Sequence, residues 1–247
     1  MENILKKGRS KKYLKKLFRE SEELVCRKNF RRFMLCKRGD FTPAMAAFLS
    51  SPDKVLDKLK AGLLKKGRGS TVGRVRIDDN DLVVKRYNTK GFWHALRRCI
   101  RATRAAHSWR NAHRLLMLDI STPRPVALLE KRFGPLRSTA YFINEYFEGP
   151  RAVDFFEDRI LSGKRKVAQS IAEIVNKLGA AGISHGDMKA TNIIIHKQEP
   201  ALVDLDAMRV HACPRRFTAL HRKDVKRFLK NWRDAPEVGD LFSDLIE

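Results

Sequence analysis

The fold is decided by one polar stretch late in the chain, Ser184-His185-Gly186-Asp187-Met188-Lys189-Ala190-Thr191-Asn192, which runs directly into Ile193-Ile194-Ile195. It places a carboxylate, Asp187, five positions before an amide, Asn192. A second acidic cluster, with Asp204 and Asp206, follows one turn later. Two short apolar runs joined by a turn are typical of a β-hairpin. We therefore expect Asp187, Asn192 and Asp204 to converge at one end of that hairpin.

This set of polar side chains is suited to phosphoryl transfer. In that chemistry one carboxylate accepts the proton of the attacking hydroxyl, while an amide and a second carboxylate hold magnesium. The stretch resembles the catalytic loop of protein kinases, H-x-D-x-x-x-x-N, with Gly186 where those enzymes usually carry arginine. His-Gly-Asp at this place is similar to the small-molecule and sugar kinases of the same superfamily. The alternative is a polar loop that merely joins a helix to a hairpin.

The composition indicates an anionic partner but does not distinguish between the possible kinds. A chain of 247 residues can bury the core of one domain or of a two-lobed one. Its 52 Lys and Arg against 28 Asp and Glu give a net charge of +24, which favours nucleic acid, an anionic lipid surface or a phosphorylated substrate.

The cysteines and the apolar segments suggest a reduced, cytoplasmic setting. The four cysteines have neither metal-ligand spacing nor the pattern of a disulfide framework: they are Cys26, Cys36, Cys99 and Cys213. The basic N-terminus is followed by no apolar signal segment, and no apolar run is long enough to span a bilayer. We expect a soluble or peripheral protein.

Residues 1–40 carry 14 Lys or Arg against five acids. Leu14, Leu17 and Phe18 recur at helical spacing, which predicts a basic amphipathic helix. Such a helix could lie on an anionic membrane face, could be an exposed helix that only keeps the protein soluble, or could bind nucleic acid. All three interpretations fit the pattern.

The first half of the chain contains a second candidate site. Gly67, Gly69, Ser70 and Gly73 form a glycine-rich loop in which backbone N–H groups could approach phosphate oxygens. Leu82-Val83-Val84-Lys85 follows, and resembles the V-A-I-K strand whose lysine reaches the ATP phosphates. The alternatives are an ordinary hairpin turn and a surface lysine.

The helical pattern after Lys85, over residues 91–118, departs from the protein-kinase pattern. Protein kinases pair the strand lysine with a glutamate on the next helix. This stretch contains no glutamate, and Ser108 stands about where one is expected.

Domain boundaries follow from the changes in pattern. The strand Tyr141–Tyr146 ends at Phe147-Glu148-Gly149-Pro150, a composition suited to a link between two lobes. We predict a basic extension over 1–40, an N-lobe over 41–147 and a C-lobe over 148–247. A buried helix over Lys164–Ala181 and a basic helix over His221–Trp232 are expected in the C-lobe.

Taken together, Gly67–Trp232 resembles the lipopolysaccharide kinase family (Kdo and WaaP-type heptose kinases, InaA-like members), a branch of the protein-kinase-like superfamily. The motifs that carry the resemblance are Gly67–Val72, Val83–Asn88, Ser108–His113, Thr122–Pro125, His185–Asn192 and Val203–Asp206. They occur in the family's order across about two thirds of the chain, and residues 1–40 lie outside it.

The resemblance implies an α+β, two-lobed protein-kinase-like fold with a small antiparallel-sheet N-lobe and a reduced helical C-lobe. It also implies an ATP- and Mg²⁺-dependent phosphotransferase acting on a Kdo or heptose hydroxyl of the lipopolysaccharide inner core. Its place would be the cytoplasmic face of the inner membrane of a Gram-negative bacterium, as a peripheral protein. The implied partners are a lipid-linked anionic sugar and an anionic membrane surface rather than a nucleic acid.

The resemblance assigns roles to individual residues. Asp187 would be the catalytic base, Lys189 would neutralise the transferring phosphoryl group, and Asn192 with Asp204 would hold magnesium. His185 would brace the loop, and Asp206 is assigned to a turn in preference to the metal site. The ATP-binding positions would be Lys85, Gly67, Gly69, Ser70, Asn192 and, where the adenine lies against the lobe boundary, Glu145.

Two alternatives remain for the function. One is a small-molecule or protein kinase of the same superfamily. The other is a catalytically silent ATP-binding or nucleic-acid-binding module, which the missing helix glutamate favours and the presence of Asp187, Asn192 and Asp204 opposes.

Overall fold

The computed structural model describes residues 12–59, 62–67, 69–88, 101–157 and 163–246. The chain divides into two compact units. The sheet unit comprises Met1–Arg114 and Arg124–Tyr146, and the helical unit comprises Leu115–Pro123 and Phe147–Glu247.

One antiparallel sheet forms most of the sheet unit. Its strands are β1 (Leu24–Lys28), β2 (Arg32–Lys37), β3 (Leu63–Lys66), β4 (Ser70–Ile77), β5 (Asn80–Tyr87), β6 (Pro125–Phe133) and β7 (Leu136–Glu145). They are ordered β1-β2-β6-β7-β5-β4-β3, and every neighbouring pair is antiparallel.

Helices α1 (Pro43–Ser50) and α2 (Pro52–Leu56) cover part of this sheet. Thr42 caps α1, its hydroxyl accepting the N–H of Met45 at 3.1 Å, with Pro43 at the first helical position, as helix starts favour. Side chains of both helices and of six strands (β1, β2 and β4–β7) pack into one buried cluster that includes Phe48, Leu56, Val84 and Ile143. Helix α3 (Arg104–Leu116) falls within the predicted helical stretch 91–118, of which residues 91–100 lie outside the described residues.

Residues 24–37 differ from the predicted basic extension. They form β1 and β2, and β2 lies inside the sheet between β1 and β6. The cause is an apolar run that the charge count concealed, since Phe33, Met34, Leu35 and Cys36 are all buried.

The predicted amphipathic face at residues 14–18 is also engaged within the sheet unit. Residues 12–16 are helical, and Leu14 and Leu17 are buried. The indole of Trp109 donates to the carbonyl of Leu17 at 3.1 Å, and the guanidinium of Arg110 lies 4.9 Å from the ring centre of Phe18. This apolar face therefore packs against α3 and is not presented to a bilayer.

The helical unit contains four helices and two short antiparallel strand pairs among its described residues. The elements are α4 (Ala152–Phe155), α5 (Arg165–Ala180), β8 (Ile183–Ser184), β9 (Ile193–His196), β10 (Glu199–Leu202), β11 (Arg209–Val210), α6 (Pro214–Leu229) and α7 (Pro236–Leu245). β9 pairs with β10 and β8 pairs with β11.

The expected hairpin is confirmed as β9 and β10. Its two turn residues, Lys197 and Gln198, both have positive φ, which is the backbone of the tight turns that join antiparallel strands. The predicted buried helix is α5, whose inward face includes Val167, Ile171 and Leu178. The predicted basic helix is α6, which begins seven residues earlier than the pattern indicated.

Candidate active site

The candidate loop runs from β8 to β9 within the helical unit. Gly186 has φ +82°, and a Cβ there would stand 2.9 Å from the carbonyl oxygen of Ala207. Only glycine takes this conformation at this approach without strain. That requirement accounts for the glycine at this position of the loop.

Asp224 on α6 anchors the same peptide. Its two carboxylate oxygens each accept the N–H of Gly186 at 3.0 Å, and its side chain is buried. A charge-assisted hydrogen bond of this kind is among the stronger ones in proteins. Asp224 is thus a positioning residue for the loop.

Asp187 lies among cationic and amide donors. Lys189 Nζ is 3.0 Å from Asp187 Oδ1, Arg227 Nη1 is 2.5 Å from the same oxygen, and Asn192 Nδ2 is 3.4 Å from Oδ2. Burial alone would raise the pKa of Asp187, but the hydrogen bond and charge of Lys189, with the charge of Arg227, lower its pKa below the usual range. Asp187 is therefore a carboxylate near neutral pH.

Asn192 sits in a 3₁₀ turn, Ala190–Asn192. Its Nδ2 donates to the backbone carbonyl of Asp187 at 2.9 Å, so the amide oxygen is the group left to accept or to ligate a cation. The N–H of Val203 donates to the carbonyl of Asn192 at 3.0 Å. This bond brings the segment that carries Asp204 beside the loop.

Asp204 has a left-handed backbone, with φ 60° and ψ 54°. Non-glycine residues in this region carry strain that is often retained at functional sites. The 3₁₀ turn Leu205–Ala207 follows directly and contains Asp206, which is buried. Within the helical unit, Asn192 contacts Asp187 at 3.4 Å, and the bond from Val203 to Asn192 holds the residue before Asp204 beside them.

His185 is enclosed beneath the loop, with 1% of its surface exposed. Burial lowers the pKa of His185, although Asp224, Asp204 and Asp187 oppose the shift. A neutral, enclosed imidazole is suited to bracing the loop and not to exchanging protons with a substrate.

Arg227 and Asp224 are the site residues that sequence reasoning missed. Arg227 is one of several cations on α6, and nothing in its spacing distinguishes it. Asp224 carried a usable signal, because it is the one acid between Pro214 and Lys230.

The remaining candidate residues belong to the sheet unit. Lys85 lies on β5, opposite Val72 of β4 and Phe142 of β7. Gly67, Gly69 and Ser70 lie at the β3–β4 connection, where the N–H of Gly67 donates to Ser70 O at 3.0 Å and the N–H of Asn88 to Gly69 O at 3.3 Å. Arg68, also in the predicted loop, lies outside the described residues.

Glu145 ends β7, opposite Leu82 of β5. One carboxylate oxygen accepts from Arg124 Nε at 2.7 Å, and the Glu145 N–H donates to Arg124 O at 3.0 Å. Its side chain thus braces the end of the strand.

Ser108, which stands about where the helix glutamate is expected in the sequence, belongs to a pair of hydroxyls. Ser108 of α3 is buried, and its Oγ lies 2.8 Å from the hydroxyl of Tyr87 at the end of β5. Two cations lie over the Tyr87 ring: Lys85 Nζ is 5.1 Å and Arg104 Cζ is 4.8 Å from the ring centre. Helix α3 is thereby linked to the lysine-bearing strand through an aromatic ring.

The donor set fits a magnesium ion that is shared with a nucleotide. Within the described ranges no group of three or more His, Cys, Asp or Glu side chains could hold a metal on its own. Asn192 and Asp204 supply one amide and one carboxylate oxygen. Magnesium is commonly held by one or two carboxylates while substrate phosphates and waters complete its shell.

A family model described as "Lipopolysaccharide kinase (Kdo/WaaP) family" matches residues 56–237. The match covers more than half of the chain, so the chain belongs to that family, and the resemblance in the sequence is confirmed. Two proteins of Escherichia coli are similar to this chain, and each is named lipopolysaccharide core heptose(I) kinase WaaP.

The first of these relatives is 26% identical over 148 residues, and the second, from strain K12, is 24% identical over 148 residues. The aligned part is 57% of this chain and 53% of each relative, so the chain spans about half the length of the curated relatives it matches.

A solved structure described as "WaaP in complex with acyl carrier protein" has the same fold. The TM-score is 0.54 at 18% identity, covering 78% of this chain and 82% of that one. The α+β, protein-kinase-like fold class with an antiparallel sheet is confirmed.

Proposed function

We propose that this protein is an ATP-dependent kinase that phosphorylates a sugar hydroxyl of the lipopolysaccharide core. Membership of the family supports the class of reaction, and the WaaP relatives make heptose the first acceptor to test, ahead of Kdo. The acceptor would be a lipid-linked, anionic sugar.

The observation that carries this proposal is the placement of Asp187. Its carboxylate is ionised, about one third exposed and held by Lys189 and Arg227. In a loose phosphoryl-transfer transition state the attacking hydroxyl needs orientation first and loses its proton late. An ionised carboxylate with a lowered pKa can hold that hydroxyl by a hydrogen bond and receive the proton as the bond to phosphorus forms.

Lys189 and the two metal-binding candidates would supply the opposing charge. The Lys189 side chain is 45% exposed, so its ammonium can turn from Asp187 towards a transferring phosphoryl group. Asn192 and Asp204 would hold magnesium, and bound Mg-ATP would supply the phosphoryl group and neutralise part of its charge. Lys85 and the backbone of Gly67, Gly69 and Ser70 would bind the nucleotide phosphates, with adenine beside Glu145.

The net charge of +24 supports a peripheral position on the cytoplasmic face of the inner membrane, where anionic lipids attract basic surfaces. Across the described residues, no helix is both long and apolar enough to cross a bilayer.

The proposal is tested by incubating the purified chain with Mg-ATP and core oligosaccharides that end in heptose or in Kdo. We expect one phosphate to be added to one of the two acceptors, as seen by mass spectrometry. Hydrolysis of ATP without a phosphorylated sugar, or transfer to a protein substrate alone, would contradict the assignment of the acceptor.

A further inference from the structure

Two hairpin turns meet at one end of the sheet in the sheet unit. The β1–β2 turn contains Phe30, and the β6–β7 turn begins at Gly134, directly after Phe133 at the end of β6. The N–H of Gly134 donates to Phe30 O at 2.9 Å, and the N–H of Arg132 donates to Arg31 O at 2.7 Å. Since β2 and β6 are also paired up to this point, the two turns form one fixed projection.

Three large apolar side chains are exposed on this projection. Phe30 is 59% exposed, Phe133 is 68% exposed and Leu136 is 37% exposed. The two rings lie edge to face with their centres 4.7 Å apart. We call Phe30, Phe133 and Leu136 the aromatic tip. A single exposed apolar side chain is ordinary on a protein surface, whereas several adjacent ones of this size often mark an interaction surface.

Cations surround the aromatic tip without an intervening acid. Residues 27–32 and 131–137 contain seven cations and no acid: Arg27, Lys28, Arg31, Arg32, Lys131, Arg132 and Arg137. Arg132 and Arg137 pair with the buried Glu130, and Lys131 pairs with Asp53. Lys28, Arg31 and Arg32 are exposed on the β1–β2 side, where they can meet an external anion.

We propose that the aromatic tip enters the interface of an anionic lipid bilayer, with Lys28, Arg31 and Arg32 binding the lipid headgroups. Apolar and aromatic side chains partition into the headgroup region, and neighbouring cations add an attraction to anionic lipid. The proposal deepens the proposed function, on which it rests for its choice of membrane, by naming the surface that meets the bilayer.

Two features favour a bilayer over nucleic acid as the occupant. The rings pack edge to face on each other, so they do not form a platform on which successive bases could stack. The tip is also a convex pair of turns with an aliphatic side chain beside the rings, and is not a groove. The other candidate surface, the apolar face at residues 14–18, is packed inside the sheet unit.

The test uses sedimentation of the full chain with vesicles of phosphatidylethanolamine and phosphatidylglycerol in equal parts, without ATP or acceptor. Phe30→Ala with Phe133→Ala should weaken binding roughly tenfold for each ring removed. Lys28→Ala with Arg31→Ala should weaken it roughly fivefold for each cation. Phosphatidylcholine vesicles should bind the wild-type chain much more weakly.

Matched controls separate the tip from general surface properties. Leu64→Ala with Leu116→Ala removes exposed apolar side chains elsewhere, and Arg215→Ala with Arg216→Ala removes exposed cations of α6; both pairs should leave binding unchanged. Equal losses in the control variants would overturn the proposal, as would absence of vesicle binding. Because no nucleotide is used, failure of the kinase assay would leave this result intact.

A second measurement reports insertion directly. Phe133→Trp should show a blue-shifted emission component when anionic vesicles are added, and an unchanged spectrum would contradict insertion. Binding of a single-stranded oligonucleotide that depends on Phe30 and Phe133, with vesicle binding that does not, would assign the tip to nucleic acid and refute the proposal.

Discussion

At the scale of single residues, Gly186 shows how the loop depends on backbone geometry. Its positive φ and its approach to Ala207 leave no room for a side chain. The sequence alone showed a glycine in place of arginine, but it could not show that the backbone conformation requires it.

Gly186→Ala should lower the free energy of unfolding by about 1–3 kcal/mol, because a left-handed backbone and a close contact are both strained by a Cβ. Chemical denaturation measures the change. Gly39→Ala is the control, since a Cβ there meets no atom within 4 Å, and it should change stability little. Equal effects at the two glycines would contradict the proposed strain.

The ionisation of Asp187 can be tested by its neighbours. Lys189 and Arg227 lower the pKa of Asp187 against the effect of burial. Lys189→Gln and Arg227→Gln should therefore each raise this pKa, and Arg222→Gln, which removes an exposed cation of the same helix, should leave it unchanged. Carbon NMR titration of the labelled carboxyl groups reports each value.

The sign of the pH effect on stability follows from the same shift. The pKa of Asp187 is lower in the folded state, so its pairing stabilises the fold above the ordinary carboxyl pKa of about 3.9. That contribution is lost as the pH falls through the lowered value. The free energy of unfolding should therefore fall more between neutral and low pH in the wild type than in Arg227→Gln. A smaller fall in the wild type would contradict the stabilising role of this pairing.

The contact between Ser108 and Tyr87 predicts a coupling in place of the lysine–glutamate pair of protein kinases. Ser108→Ala and Tyr87→Phe should each raise the KM for ATP more than they lower kcat, because the pair supports the strand that carries Lys85. The double variant should be non-additive, with a coupling of about 0.5–3 kcal/mol in denaturation. Additive losses would show that the two hydroxyls act separately.

At the scale of elements, the hairpin of β9 and β10 and the helix α5 followed from local patterns. Sequence reasoning can find these elements because an apolar run, a turn and a helical repeat each depend only on residues that are close together in the sequence. Strands β1 and β2 were missed because their identity depends on pairing with β6, which lies about 90 residues further along the chain. Asp224 and Arg227 were missed for the same reason, since they act on a loop about 40 residues earlier.

The position of β2 inside the sheet gives a direct stability prediction. Leu35 is 0% exposed there, so Leu35→Ala should destabilise the protein by about 2–5 kcal/mol through lost burial and a residual cavity. Leu64→Ala, at a position 52% exposed on β3, should change stability far less. Thermal unfolding of the two variants decides whether residues 24–37 are part of the folded core.

At the scale of the whole molecule, the effect of the net charge of +24 depends on where the individual cations lie. Cations beside the aromatic tip and around Asp187 serve two separate purposes: the first contact the membrane, and the second, Lys189 and Arg227, stabilise a carboxylate. The composition predicts anionic partners. The role of each individual cation can be assigned only from its contacts in the fold.

The central claim is that Asp187 directs phosphoryl transfer to a sugar. The most direct measurement is the rate of phosphate transfer from Mg-ATP to a heptose- or Kdo-terminated core acceptor by Asp187→Asn. Asp154→Asn serves as the control, because Asp154 is a partly exposed carboxylate of the same unit paired with Arg151. We predict a loss of roughly 10²- to 10⁴-fold in kcat for Asp187→Asn, with normal folding, and none for Asp154→Asn. A well-folded Asp187→Asn protein that transfers phosphate at the wild-type rate would contradict the claim.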